Sequence, residues 1–310
     1  MTGSISREDA TVQTNRHSAI PYLVACLGVA AFTTMDAVMK GLAIGIGVYN
    51  AMLWRMLAGT LMGGAVFLAL GSRWPGRVAM RLHLLRSAVV TVMALAFFWG
   101  LVRVPLAEGI AITFVAPLIA LYLAALLLRE DIGRAAIVAS LLGLAGVLTI
   151  VGGKLRLDHA AESVLGLGSL FVSALLYAWN LVLQRRQAQL ASPIEIAFFQ
   201  NLFVLLLLAL MAPWLAVPPP AAYLPQIAGS AALALVALGL LAWSYARAEA
   251  QVLVSVEYTA FIWAAILGWL LFGESLSAPT LAGAALIVAG CVLANYRRRG
   301  PPAHVETTAL

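Results

Sequence analysis

Trp99-Gly100-Leu101-Val102-Arg103, followed by Leu126-Leu127-Leu128-Arg129-Glu130 and Ala145-Gly146, returns 144 residues later as Trp243-Ser244-Tyr245-Ala246-Arg247, Leu270-Leu271-Phe272-Gly273-Glu274 and Ala289-Gly290. At the same offset Leu123 falls on Leu267 and Leu142 on Leu286. Apolar residues coincide easily between two apolar segments. Trp, Arg, Glu and Gly matching in one register do not, so the pattern reads as an internal duplication. The first two apolar runs of each half match less well, although Asp36 lands on Asn180 and Lys40 on Gln184.

Outward from these phrases the chain is a succession of apolar runs, at about 19–40, 48–70, 83–102, 105–128, 134–152, 164–184, 193–214, 224–246, 250–272 and 278–296. Gly71-Ser72-Arg73-Trp74-Pro75-Gly76, Gly152-Gly153-Lys154, Pro218-Pro219-Pro220 and similar breakers separate them. A helix needs about 20 apolar residues to cross a bilayer core, so ten spans consume about 200 residues and leave no room for a large extramembrane domain. The 310 residues are 63% hydrophobic and 10% charged, against about 25% charged in a soluble protein. That excludes a soluble domain and a disordered chain alike. An outer-membrane barrel needs segments of about ten alternating residues, which are absent. The first run, Ala19 to Met39, exceeds a signal-peptide core and is expected to stay as a membrane helix.

Lys and Arg orient the spans. Of the 19, fourteen fall on the side of the N-terminus, four (Lys40, Arg103, Lys154 and Arg156) on the other, and Arg55 inside a span. The expected fold is an all-α membrane protein of ten transmembrane helices with both termini cytoplasmic. Its parts are an N-terminal tail (1–18), a first repeat (19–152), a periplasmic linker (153–163), a second repeat (164–296) and a C-terminal tail (297–310). Five spans per repeat is an odd number, so the second copy inserts upside down. Inverted repeats are a device of secondary transporters, in which exchanging the conformations of the halves switches the side to which a cavity opens.

Ala107-Glu108-Gly109-Ile110-Ala111-Ile112-Thr113-Phe114-Val115-Ala116-Pro117, continued by Leu126 to Glu130 and closed by Gly143 to Val147, resembles the fourth and fifth helices of an EamA domain of the drug/metabolite transporter superfamily. Leu267 to Leu276 followed by Gly283 to Gly290 resembles the same element again. Among relatives of this superfamily, the length and tandem arrangement are similar to those of YddG-type exporters of aromatic and other amino acids. The resemblance implies a central cavity lined largely by helices three, four, eight and nine, with helices one, two, six and seven moving as gates. Pro105 and Pro117 bracket helix four, but Phe261 stands where the second copy would repeat Pro117. A kink supplied by Pro117 is therefore expected to be missing from helix nine.

An ionisable group at membrane depth costs about 2.5–3.5 kcal/mol on insertion scales, so each one faces a cavity or a partner. Asp36 and Lys40 share a helix face, and Arg55 lies at similar depth on the next helix. They read either as an outer gate or as a static salt bridge between helices one and two. Asn180, Gln184, Gln200 and Asn201 occupy roughly the inverted positions and read as a hydrogen-bonded inner gate or as polar glue between helices. Glu257, opposite Thr113 in the repeat, reads as a carrier of a coupling proton, a receptor for a substrate ammonium, or the partner of a loop arginine such as Arg247. Glu108 is expected to pair with Arg103 or face water. Trp263 is the tryptophan nearest mid-membrane and is the first choice for stacking on substrate. Trp99 and Trp243 follow, with Tyr258, Tyr245, Tyr122, Phe97 and Phe98 as further cavity residues, against lipid-facing packing for each. Gly41 with Gly45, Gly59 with Gly63, and Gly143 with Gly146 permit close helix approach.

Cys26 and Cys291 sit on separate apolar helices and read as small hydrophobes rather than a disulfide or metal site. His17, His83, His159 and His304 lie at span ends or in tails, which disfavours a histidine proton relay. No nucleotide-binding loop, zinc-protease helix or nucleophile elbow occurs. No cofactor, resident metal, enzymatic activity or nucleic-acid partner is expected. The expected partners are a small-molecule substrate and the lipid bilayer; the oligomeric state is left open, a monomer being plausible. The expected function is export of small amphipathic metabolites, amino acids including aromatic ones first, across a bacterial inner membrane. A nucleoside, cofactor or drug carrier is the alternative within transport. A membrane enzyme or complex subunit is the alternative outside it.

Overall fold

The computed structural model describes residues 20–120, 122, 134–154, 160–247 and 256–296. Among the described residues there are helices and turns and no strand. The first half supplies α1 (Ile20–Ile46), α2 (Val48–Ala69), α3 (Arg77–Leu101), α4 (Leu106–Thr113) and α5 (Arg134–Lys154). The second supplies α6 (Ala160–Ala188), α7 (Pro193–Ala209), α8 (Leu224–Tyr245), α9 (Ala260–Phe272) and α10 (Ala278–Tyr296). Of these, α1, α2, α3, α6 and α8 are long and apolar enough to cross a membrane, and the other apolar stretches are shorter. Both tails and the loop carrying Arg129, Glu130 and Asp131 lie outside the described residues.

Two turns mark the ends of the bundle. A single residue, Gly47 at φ 80°, joins α1 to α2. This left-handed backbone costs a residue with a Cβ about 1 kcal/mol. At the opposite end Ser192 caps α7, its hydroxyl accepting the Glu195 N–H at 3.3 Å, with Pro193 in the first turn.

Helix α1 packs on α8 as its repeat counterpart α6 packs on α3, while α2 packs on its own counterpart α7 and α5 on α10. Named contacts give the directions. Gly146 lies against Gly283 and Ile287, and Gly153 against Pro279, so α5 and α10 run antiparallel. The Tyr49 hydroxyl donates to Leu208 O, Gly59 touches Asn201 and Gly63 touches Phe198, so α2 and α7 do likewise. Leu106 reaches Glu274 while Phe114 reaches Tyr258, which makes α4 and α9 the third such pair. A Cβ on Gly146 would stand 2.5 Å from Gly283 O, so a small residue is what lets α5 and α10 approach. Gly41, by contrast, meets nothing within 4 Å.

Met35, Met39, Leu42, Met52, Leu101 and Leu106 are among the residues of one continuous apolar core. Outward, Leu23, Leu61, Leu68, Leu141, Leu148 and Trp269 are 61–68% exposed. A surface this apolar suits hydrocarbon rather than water.

Candidate functional site

Helix α4 stops at Thr113 and helical turns resume at Ala116; the entry to α9 is helical at Val256-Glu257, breaks at Tyr258-Thr259 and resumes at Ala260. The two interruptions fall on equivalent residues of the repeat, and three of their hydrogen bonds recur at equivalent positions. Val115 N–H donates to Ile112 O at 3.1 Å, as Thr259 N–H donates to Val256 O at 3.0 Å. Leu118 donates to Val115 O at 3.0 Å, as Ile262 donates to Thr259 O at 2.9 Å. Ile119 donates to Val115 O at 3.1 Å, as Trp263 donates to Thr259 O at the same distance. The first two bonds of each set run from i to i−3, the tighter turn that marks a hinge-like stretch in an α-helix, and the third returns to i−4.

The expectation that helix nine would lack the kink of helix four is therefore overturned. Phe261, in place of proline, donates to Tyr258 O at 3.2 Å without restoring a regular helix. Both breaks instead hold a threonine whose hydroxyl donates three residues back, Thr113 to Ile110 O and Thr259 to Val256 O, each at 2.7 Å. Such back-bonding competes with the amides for helix carbonyls and bends the helix. The equivalent residues Phe114 and Tyr258 meet edge to face, with ring centroids 5.3 Å apart.

Ionisable side chains converge around this crossing. Asp36 on α1 is 5% exposed; its electrostatic partner is Arg55 on α2, yet the two form no ion pair. Tyr177 on α6 is within electrostatic reach of Glu257, Arg86 and Asp36. Tyr245, at the end of α8, donates its hydroxyl proton to Glu257. Two carboxylates and two guanidiniums, with two phenols among them, thus come from α1, α2, α3, α6, α8 and the approach to α9. Among the described residues no three His, Cys, Asp or Glu side chains are placed to hold a metal ion.

A latch closes the Gly47 end. Lys40 forms an ion pair with Glu274 and donates to Val104 O at 2.6 Å, while the other Glu274 oxygen accepts Leu106 N–H at 2.7 Å. The left-handed Gly273 at the end of α9 aims that carboxylate. Three elements, α1, the start of α4 and the end of α9, are tied through one buried lysine. Next to it Glu108, 1% exposed, accepts the Thr280 hydroxyl proton at 2.7 Å. It neither pairs with Arg103 nor faces water, which corrects the expectation for that residue.

The Ser192 end is tied differently. Arg86 donates to Asn180 Oδ1 at 2.8 Å and to Gln187 Oε1 at 2.5 Å. The Gln187 amide continues to His83 Nδ1 at 2.5 Å, and His83 Nε2 to Glu195 Oε1 at 3.0 Å. His83 is fully buried and stacks on Phe199 at 5.2 Å. The chain joins α3, α6 and α7.

The repeat is visible in one more pair. Arg103 lies over the Trp99 ring at 3.5 Å and donates to Trp99 O, and Arg247 lies over the Trp243 ring at 4.3 Å and donates to Trp243 O.

The family profile for EamA-like transporters matches residues 19–152 and 164–296, in two copies that together take in nearly the whole chain. The chain belongs to the EamA-like transporter family. A pseudopaline exporter, CntI, of Pseudomonas aeruginosa is 24% identical over 282 residues, covering 90% of this chain and 96% of the relative. A riboflavin transporter of Vibrio cholerae is 27% identical over 207 residues, covering 66% of this chain and 68% of that protein. A crystal structure with a TM-score of 0.59 and 22% identity, matched over 90% of this chain and 99% of its own, shares the fold. These relatives are named for export of pseudopaline and transport of riboflavin, and their names do not point to the YddG-type aromatic exporters.

Within this EamA bundle the residues singled out from sequence are distributed unevenly. Tyr258 stands at the crossing of the broken helices, and Thr113 and Trp263 are bonded into the breaks themselves. Glu257 and Tyr245 form a pair, and the alternative of Glu257 bound to Arg247 is not what the structure has, since Arg247 rests on Trp243. Phe97 and Phe98 touch each other at 5.1 Å. Tyr122 lines a separate apolar crevice of about 200 Å³ with Val115, Leu144 and Phe171. Trp99 and Trp243 are each occupied by their own arginine.

The expected outer cluster divides, with Lys40 taken by Glu274 and Asp36 facing Arg55. The four amides of the expected inner gate are not brought together. Asn180 bonds Arg86, Asn201 bonds its own helix at Ala197 O, Gln184 is exposed and Gln200 is half-buried. Arg86, His83, Gln187, Tyr177 and Glu274 are the residues that sequence reasoning missed as site members. Glu274 alone carried a signal, its place in the repeated phrase.

Proposed function

We propose that this chain is a secondary transporter of the bacterial inner membrane that exports small amphipathic metabolites, amino acids including aromatic ones among them. In this reading ten spans form two inverted five-helix repeats, 19–152 and 164–296, with both termini cytoplasmic. The Gly47 end then faces the periplasm and the Ser192 end the cytoplasm. The observation that carries the reading is the pair of interruptions in α4 and α9, which share three equivalent hydrogen bonds and touch at Phe114 and Tyr258. Discontinuous helices paired across a repeat axis are where transporters build their binding sites. The antiparallel pairing of α2 with α7, α4 with α9 and α5 with α10 supports the inversion.

Alternating access then proceeds as a rocking of the halves about residues 114–115 and 258–259. With the Lys40–Glu274 latch closed, the periplasmic end is shut, and entry of substrate from the cytoplasm requires the Arg86–His83 network at the Ser192 end to open. Release requires the latch to part. Glu257, held by Tyr245, is the group proposed to load a coupling proton. A second reading, a carrier of an aromatic cofactor, is favoured by the likeness to the riboflavin transporter.

Counterflow in proteoliposomes tests both. Tryptophan, phenylalanine and threonine are expected to exchange; failure of every amino acid removes that substrate class, and exchange of riboflavin instead installs the second reading. Repeating the assay with a pH gradient on Glu257→Gln tests coupling, and an unchanged proton dependence in the variant rejects Glu257 as the proton carrier.

A further inference from the structure

Asp36 is a buried carboxylate with an electrostatic partner, Arg55, that does not close onto it, and it has no hydrogen bond among the described residues. The Arg55 Nε is likewise buried without a hydrogen-bond partner. Burying a charge without contact to a counter-charge is costly, by several kcal/mol in real proteins. Arg55 is half-buried with only its Nε closed off, so the Asp36 carboxylate faces a counter-charge beyond ion-pair distance and keeps its acceptors open to a group the chain itself does not supply.

The molecule contains a picture of what that is. By the repeat, Asp36 is equivalent to Asn180 and Ser230 to Arg86. In the α3–α6 seam the Arg86 guanidinium reaches Asn180 Oδ1 at 2.8 Å. The α1–α8 seam has the same antiparallel register: Gly28 lies against Leu240 and Leu241, and Gly45 against Tyr223, which brings Asp36 level with residues 230–232. There Ser230, fully buried, donates to its own helix at Ile227 O, 2.8 Å away. Asp36 therefore stands where Asn180 stands in the other half, with a full negative charge in place of the amide, and the short Ser230 leaves unfilled the position that the Arg86 cation fills there.

We infer that Asp36 receives the cationic nitrogen of the transported molecule, at the position that Arg86 fills in the other seam, and that Arg55 receives a carboxylate of the same molecule. The substrate is thus zwitterionic, carrying both a primary ammonium or guanidinium and a carboxylate. This rests on the transporter reading and narrows its substrate class, and it moves Asp36 and Arg55 from gating to binding.

The test is binding of three probes, phenylalanine, N-acetylphenylalanine and phenethylamine, to the purified full chain in nanodiscs, alongside counterflow. Wild type is expected to bind phenylalanine best. Asp36→Asn is expected to weaken phenylalanine and phenethylamine at least tenfold and leave N-acetylphenylalanine unchanged. Arg55→Gln should weaken phenylalanine and N-acetylphenylalanine and spare phenethylamine. Ser230→Arg, which rebuilds the other seam, should block phenethylamine while keeping or raising the melting temperature, so a folding defect in Asp36→Asn does not decide the matter. Wild type that binds none of the three, or an Asp36→Asn variant that keeps its affinity for phenethylamine, overturns the assignment. If another solute still exchanges in either case, the transporter reading survives; if nothing is exchanged, that reading falls as well.

Discussion

The Gly47 and Ser192 ends of the bundle are built from equivalent helices, yet they are held by unrelated chemistry. At the Gly47 end one ion pair, Lys40 with Glu274, ties α1 to the backbone at Val104 and Leu106. At the Ser192 end a run of five side chains from Asn180 to Glu195 ties α3, α6 and α7. Transposed by the repeat, Glu274 is kept as Glu130, outside the described residues, but the partners change. Lys40 becomes the exposed Gln184, whereas Arg86, Gln187, His83 and Glu195 become Ser230, Ala43, Ile227 and Ala51, all buried. A backbone that duplicates itself can therefore carry two different locks. Under the proposed exchange of conformations between the halves, that difference would make the two states unequal in energy.

The largest effect is expected where the Gly47 lock depends on a single contact. Glu274→Ala leaves a lysine in the interior without its counter-charge and the Leu106 N–H without its acceptor. Breaking a buried pair from one side costs about 4 kcal/mol. The melting temperature in detergent should fall sharply, and a cysteine placed at the α1–α2 turn should become faster to label. A drop of a degree or two would mean that the latch is not what holds that end.

Next in size is the contrast between equivalent positions. Arg86→Leu strands the buried acceptors of Asn180 and Gln187, for a loss of about 3 kcal/mol. Ser230→Ala removes a hydroxyl bonded only within its own helix and should cost less than about 1 kcal/mol. Equal losses in thermal unfolding would erase the asymmetry between the seams.

The pattern of what sequence revealed follows from the same contrast. The repeat offset, the apolar runs and the EamA resemblance rest on local composition and on residues repeated in register, and these are written along the chain. The Lys40–Glu274 pair joins residues 234 positions apart, and no spacing rule links them. His83 and Arg86 sit near a helix start, where charged residues ordinarily face headgroups and water, so their burial is invisible until α6 and α7 are placed beside them. The break at 258–259 is not legible from sequence because proline, the usual marker of such a break, is absent from the second copy, and a threonine alone does not mark one: Thr33, Thr60 and Thr91 bond back to helix carbonyls in unbroken helices.

A smaller effect is expected at that break. Since the hydrogen bonds around 114–115 and 258–259 agree although one copy has Pro117 and the other Phe261, Pro117→Ala should shift stability by less than about 1 kcal/mol and leave counterflow rates within twofold. Thr113→Val and Thr259→Val should act more strongly on transport than the proline change. A proline variant that stalls transport would put the hinge back on Pro117 and separate the two copies.

The smallest effect concerns the feature most alike in the two halves. Arg103 over Trp99 and Arg247 over Trp243 are the same i, i+4 contact at the ends of α3 and α8, both with half-exposed rings. A cation over an aromatic face at an exposed site contributes about 0.5–1 kcal/mol. Arg103→Leu and Arg247→Leu should therefore each lower stability slightly and by equal amounts, in unfolding followed by tryptophan fluorescence. If both rings serve only to anchor the helix ends at the membrane surface, transport should also fall equally in the two variants. A selective loss in one would assign that tryptophan to substrate, because an anchoring role is shared by both ends while substrate contact at any moment is not.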